Sequence, residues 1–129
     1  MISRKLLGNT SEAKILAHFI SLDYQVFLPF IDNGPIDMIV IKENKILRVS
    51  VKGTTTMNSK IAWRVSLNTS SRRKDNSCVV NKFNKDSCDL LAVYIQPKDK
   101  VVILDSKKIE STTEISLKLE NDFRLYVED

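Results

Sequence analysis

Residues 34–52 read GPIDMIVIKENKILRVSVK, and this stretch decides the fold. Two β-rich runs, 36–42 and 45–52, flank Glu43-Asn44, a dipeptide suited to a tight turn, so the spacing predicts a β-hairpin. Side chains on a strand alternate between faces. Leu47, Val49 and Val51 then share one uniformly apolar face, which must be core. Ile46, Arg48, Ser50 and Lys52 share the other, which turns polar toward its end. If Glu43 and Asn44 form the whole loop, Lys42 pairs with Lys45, and counting outward sets Asp37 opposite Ser50; another loop length would shift this by a place or two. Opposed residues share a face. One acid, one hydroxyl and one lysine are expected to converge from two adjacent strands.

Upstream, Ile15, Leu16, Phe19, Ile20 and Leu22 recur at helical spacing, which predicts a helix over about 9–22. Asn9 is placed to cap it, with Glu12 at the third helical position in a capping-box arrangement. A short strand is expected at 24–28, stopping at Pro29, followed by a turn through Asp32, Asn33, Gly34 and Pro35. Downstream, 61–67 reads as a strand and 68–87 as a polar, irregular stretch with a helical turn near 79–83. Residues 90–95 form an apolar run that suits a buried central strand. A turn at 98–100, a strand at 101–105, a helical turn at 106–109 and an edge strand in the tail complete the chain. This order predicts a single α/β domain over 1–129 with a mixed sheet, and excludes a helical bundle.

The chain has 129 residues and a net charge of +4. Distribution matters more than the total. Residues 42–85 carry eleven Lys/Arg against two acids, whereas the segments on either side are net acidic. A basic block of this density attracts a polyanion through charge neutralisation and counterion release. Its densest part, Arg72-Arg73-Lys74, lies among Ser, Thr and Asn and reads as a DNA-contacting loop. Arg64 faces away from Trp63 and Val65, where it contacts phosphate or covers the sheet with its stem. Cys78, Cys88 and His18 have no zinc spacing. The two thiols read as reduced bystanders in a cytoplasmic protein, with a Cys78–Cys88 disulfide as the alternative. The start has neither an apolar h-region nor a small-residue cleavage site, and no apolar run approaches membrane-spanning length.

Asp37, Ser50 and Lys52 suit metal-assisted phosphodiester hydrolysis. A hard divalent cation takes oxygen ligands, carboxylate first. It polarises the phosphate and acidifies water, while a nearby lysine orients that water or stabilises developing charge. Gly34-Pro35-Ile36-Asp37 followed by Val49-Ser50-Val51-Lys52 resembles the PD-(D/E)XK nuclease superfamily. Gly8-Asn9-Thr10-Ser11-Glu12-Ala13 resembles its first motif. The segments around Arg72–Lys74, Asp89–Tyr94 and Val101–Leu104 are similar to a group of small bacterial and phage members that includes an intron-encoded homing endonuclease.

The resemblance covers roughly 8–110. It implies a restriction-endonuclease-like core of mixed sheet flanked by helices, and a DNA endonuclease using Mg²⁺, with Mn²⁺ as substitute. It also implies that Asp37, Glu12 and the Val51 carbonyl ligate the ion, with Ser50 at the usual acid position and Lys52 at the lysine position. Ser50 departs from the pattern and leaves the site one charge less negative. Three readings follow: a homing- or restriction-like endonuclease, a Holliday-junction-resolving nuclease, or a nuclease-fold DNA-binding protein that does not cut. Cutting both strands calls for a homodimer or higher even oligomer, encoded by a bacterium, an archaeon or a phage. Competing structural roles stand beside these. Glu12 caps the helix, Asp37 closes the turn before it, Lys52 is a solvated strand end, and Ser50 is polar filler. Asp86 and Asp89 read as turn residues.

Overall fold

A computed structural model describes residues 2–32, 34–72, 75 and 78–118; for 69–72, 78 and 79 it describes the backbone. Helix α1 (Arg4–Ser21) is followed by β1 (Gln25–Phe27), β2 (Met38–Lys42) and β3 (Lys45–Thr54). Then come β4 (Trp63–Ser66), β5 (Thr69–Arg72), β6 (Cys78–Asn81), β7 (Leu90–Ile95), β8 (Lys100–Asp105) and β9 (Glu114–Leu117). Single 3-10 turns at Gln96–Lys98 and Ser106–Lys108 bracket β8.

The main sheet has the order β1-β2-β3-β7-β8. Strands β3 and β7 run parallel; its other neighbours are antiparallel. The hairpin register is the one counted from the sequence, with Lys42 opposite Lys45 and Met38 opposite Val49. Glu43 and Asn44 both adopt positive φ, as a two-residue hairpin turn that follows strand twist requires. Strand β7, buried along its whole length, sits between β3 and β8.

Two cores sandwich this sheet. On one face Ile15 and Phe19 of α1 pack on Met38, Val40, Val49, Leu90, Ala92 and Tyr94, with Leu47 and Val51 at the margin. On the other, the antiparallel ribbon β4–β9 lays Trp63, Val65 and Leu117 on Leu91, Val93, Val102 and Leu104. Trp63 is core. The second face is therefore covered by a β-ribbon among the described residues, where the resemblance implies a helix.

Two expectations are corrected, and the reduced reading holds for Cys88. Helix α1 begins at Arg4, and its cap is Ser3, whose Oγ accepts from the Leu6 N–H at 3.1 Å. Asn9 and Glu12 lie inside the helix, so Glu12 is not a capping-box residue. Helical spacing of apolar residues marks only the buried part of a helix, and the first turn is largely exposed. The stretch 68–87 holds a hairpin, β5–β6, where an irregular segment and a helical turn are expected. The β-rich Cys78-Val79-Val80 carried that signal. Cys88 is a free, buried thiol, which removes the disulfide reading.

Candidate active site

Asp37 stands one residue before β2, at the mouth of the hairpin. Its N–H donates to the Val49 carbonyl at 2.9 Å, and its Oδ2 accepts from the Val51 N–H at 2.7 Å. The carboxylate thus continues the β2–β3 ladder one step past the end of β2. The paired register itself ends at Met38 and Val49, and Asp37 sits just beyond it, against the Val49–Val51 stretch of β3. A residue in a strand directs its N–H and C=O to the same edge. The Val51 carbonyl therefore emerges on the edge that Asp37 occupies, beyond the last β2 residue.

Glu12 arrives from α1. The helix crosses β3 at Gly53, where any Cβ would meet Ser11 Oγ and then Leu7. Ser11 is fully buried there, its hydroxyl donating to the Leu7 carbonyl at 2.6 Å. The missing side chain at Gly53 lets the helix down onto the strand. Glu12, one residue on from Ser11, then reaches the Asp37 carboxyl and hydrogen-bonds with it.

The electrostatics of the group are strained in one direction. Burial pushes the Asp37 carboxyl above the ordinary carboxylate range, and Asp32 adds to this. The Val51 N–H, the Glu12 hydrogen bond and Lys52 pull the other way without winning. Glu12 is raised too, first by burial and then by the charges of Asp37 and Asp32. Burial pushes the Lys52 ammonium below the ordinary lysine range against the attraction of Asp37. Each group resists its charged form. Two adjacent carboxyls in this condition would be eased by a cation placed between them.

The donor set is all oxygen: two carboxyls, the Val51 carbonyl edge and the neighbouring Ser50, which is 6% exposed and lies beside Leu91 of β7. Hard donors of this kind fit a divalent cation such as Mg²⁺ or Mn²⁺ better than a soft one. Among the described residues no three His, Cys, Asp or Glu side chains gather as a metal cluster. Any ion held here would then draw on main-chain or hydroxyl oxygens as well as the two carboxyls.

Other candidates lie elsewhere. Arg64 is exposed on β4 and ion-paired with Glu114 across the ribbon at 2.6 Å. It is not among the charges acting on Asp37, Glu12 or Lys52. Arg73, Lys74 and the side chain of Arg72 fall outside the described residues, although the Arg72 backbone closes β5. His18 stacks edge-on against Phe19.

Two acids carry more than the sequence suggests. Asp32 is the third negative charge acting on the Glu12–Asp37 pair; its signal was proximity to Gly34-Pro35, which reads only as a turn. Asp89 accepts from the Arg48 N–H at 2.8 Å and from two guanidinium nitrogens at 3.2 Å each. Its own N–H donates to the Arg48 carbonyl at 2.8 Å. It staples the start of the parallel β3–β7 pairing, which no local pattern could reveal.

The fold and this cluster place the molecule among nucleases with a restriction-endonuclease-like core. A solved bacterial homing endonuclease, I-Ssp6803I, matches it with a TM-score of 0.74 at 19% identity, over 90% of this chain and 78% of that one. Residues 2–124 match the family model of the PD-(D/E)XK endonucleases, and the chain belongs to that family. No curated protein matches its sequence. No helix among the described residues is long and apolar enough to cross a membrane.

Proposed function

We propose that this chain is a divalent-metal-dependent DNA endonuclease that hydrolyses phosphodiester bonds, with Asp37, Glu12 and the Val51 carbonyl holding the ion and Ser50 beside them. The observation that carries this reading is the Glu12–Asp37 contact, two acids from separate elements brought together at the hairpin mouth next to Lys52. When bound, Mg²⁺ or Mn²⁺ supplies polarisation of the scissile phosphate and acidification of water.

The residues of the chain do the rest. Asp37 is fixed by the Val51 N–H, so its second oxygen has a defined direction. Glu12 is fixed by the seat of α1 on Gly53. Lys52, with its proton loosened by burial, orients the attacking water or stabilises charge on the phosphate. The basic block over 42–85, including Arg72, Arg73 and Lys74, neutralises the DNA backbone. Arg64 joins that contact only by releasing Glu114. Homing- or restriction-like cutting of both strands requires two copies of the site, and hence a homodimer or higher even oligomer.

The test uses supercoiled plasmid with Mg²⁺, with Mn²⁺ and with chelator, and Asp37→Ala and Lys52→Ala in parallel. Metal-dependent nicking lost in both variants supports the reading; nicking that survives either change overturns the site. Ser50 favours a second reading, a family member that binds DNA without cutting. Binding without nicking in the wild type, and nicking gained in Ser50→Glu, would establish it. Preference for four-way junctions over linear duplex would redirect the reading to a junction-resolving nuclease.

A further inference from the structure

Leu47, Val49 and Val51 of β3 pack under α1, and the two-residue alternation of a strand puts Gly53 next in that row. The apolar row thus ends in a residue with no side chain. Its backbone does not call for glycine, because Gly53 has no positive φ. A glycine inside a strand weakens it and marks the close approach of another backbone. Here the approaching element is α1. A Cβ on Gly53 would collide with Ser11 Oγ and would lie 3.1 and 3.2 Å from Leu7 Cγ and Cδ1.

The rest of the helix is tied down. Its buried side chains are Ser11, Ile15 and Phe19, each one turn from the next. Ile15 and Phe19 are locked into the core. Lys14 Nζ lies 2.9 Å from Asp99, which also accepts from the Tyr94 hydroxyl at 2.6 Å. Tyr94 is the residue of β7 that pairs with Gly53. With the later turns held this way, any change in the space over Gly53 is delivered to the turns around Leu7 and Ser11. Glu12 follows Ser11 directly and is the residue of α1 that meets Asp37.

We propose that Gly53 is a positioning residue for the Glu12–Asp37 pair: its missing side chain keeps the two carboxyls close and so favours a small divalent cation there, Mg²⁺ over Ca²⁺. The proposal rests on the reading of this pair as a metal site. The physical reason is size. Mg²⁺ takes oxygens at about 2.0–2.1 Å and tolerates little distortion, whereas Ca²⁺ takes them at about 2.3–2.6 Å in flexible arrangements. Asp37 is tied to β3 through the Val51 N–H and the Val49 carbonyl, so it stays where it is when the helix lifts. A methyl group on Gly53 would therefore part the carboxyls by moving Glu12 alone. That change costs Mg²⁺ more than it costs Ca²⁺.

Isothermal titration calorimetry of the full chain with MgCl₂ and with CaCl₂ reads the preference without any catalysis. Asp37→Asn, which should take up neither ion, identifies the pair as the site being titrated. Gly53→Ala is expected to weaken Mg²⁺ binding by about 10-fold or more, the scale of losing an outer support of a metal site, and Ca²⁺ binding by less. Gly53→Ala/Ser11→Ala removes the hydroxyl that the new methyl would strike and should restore most of the Mg²⁺ affinity. Ile15→Val loosens the same helix one turn on. It should lower the melting temperature and leave the ratio of the two affinities unchanged. Equal losses for both ions in Gly53→Ala, a double variant without recovery, or a ratio that moves as far in Ile15→Val overturns the proposal. A wild type that binds neither ion, or binding that survives Asp37→Asn, overturns the metal reading of the pair and the proposal with it. Plasmid nicking is scored separately. A wild type that prefers Mg²⁺ and does not nick would sink the nuclease reading and leave the role of Gly53 standing.

Discussion

Asp37 and Asp89 do the same thing to the same strand and reach opposite ends. Each takes a main-chain N–H of β3, Asp37 from Val51 at 2.7 Å and Asp89 from Arg48 at 2.8 Å. Asp89 is then met by the Arg48 guanidinium, which holds its carboxyl below the ordinary range. Asp37 is met by burial, Asp32 and a second carboxyl, and is held above that range. One acid is neutralised within the fold and serves as a staple. The other is left electrostatically unfinished, with a lysine that is itself pushed toward neutrality beside it. A carboxylate that the fold has not satisfied points to a site for something from outside.

The largest contrast is in activity. Asp37→Ala and Lys52→Ala are expected to lower metal-dependent nicking by at least about 10²–10³-fold, the scale of losing one electrostatic contributor in a hydrolytic site. Asp89→Asn keeps its nicking at temperatures where it is folded. Equal losses in Asp37→Ala and Asp89→Asn under native conditions, measured with plasmid at fixed metal, would erase the distinction.

Metal should separate the two acids next. An ion that binds the folded chain at about 100 times its Kd adds roughly 2.7 kcal/mol of stability. Mn²⁺ or Mg²⁺ is expected to raise the melting temperature of the wild type and of Asp89→Asn, and to leave that of Asp37→Asn unmoved. Differential scanning fluorimetry against chelator reads this directly.

Stability and pH give a smaller effect of opposite sign. The carboxyl of Asp89 is depressed in the fold, so its contribution is present above the ordinary value of about 3.9 and is lost as pH falls through the folded value. Asp37 is raised, so its advantage is present below that ordinary value and is lost as pH rises through the folded one. In chelator near neutral pH, Asp37→Asn should therefore melt a few degrees above the wild type and Asp89→Asn a few degrees below. The Asp37 gap should close at about pH 4, and the Asp89 gap only below it, as pH falls through the depressed folded value. A stabilising Asp89→Asn, measured by circular dichroism, would show that the staple contributes nothing net.

The smallest effect concerns the basic segment. Neutralising Arg72, Arg73 and Lys74 should weaken DNA binding across sequences and flatten its salt dependence by about one unit of slope per lost phosphate contact. Fluorescence anisotropy over a salt series checks this, and an unchanged slope would assign the binding to other cations of the block.

The hairpin was legible because its register follows from two local facts, a two-residue turn and the period-two alternation that fixes facing. These suffice to set Met38 across from Val49 and to put Lys52 on the Ser50 face. The buried β7 was legible from its unbroken apolar run. The true start of α1 was not, because Arg4–Leu7 bury little and leave no apolar stripe. The β5–β6 hairpin was hidden because β5 (Thr69–Arg72) is polar throughout, which left the β-rich Cys78-Val79-Val80 without a visible partner.

By itself the sequence determined the hairpin, the shared face of Ser50 and Lys52, and the excess of positive charge over 42–85. All of these depend on neighbours along the chain. The tertiary structure alone decided that Glu12 faces Asp37 instead of capping its helix, because this follows from how closely α1 settles on Gly53. It alone decided that Asp89 is a staple, because Arg48 lies 41 residues away and meets it only through a parallel strand pairing. Burial is the largest influence pushing Asp37, Glu12 and Lys52 away from their charged forms, and burial belongs to the packed molecule, which no single stretch of sequence contains.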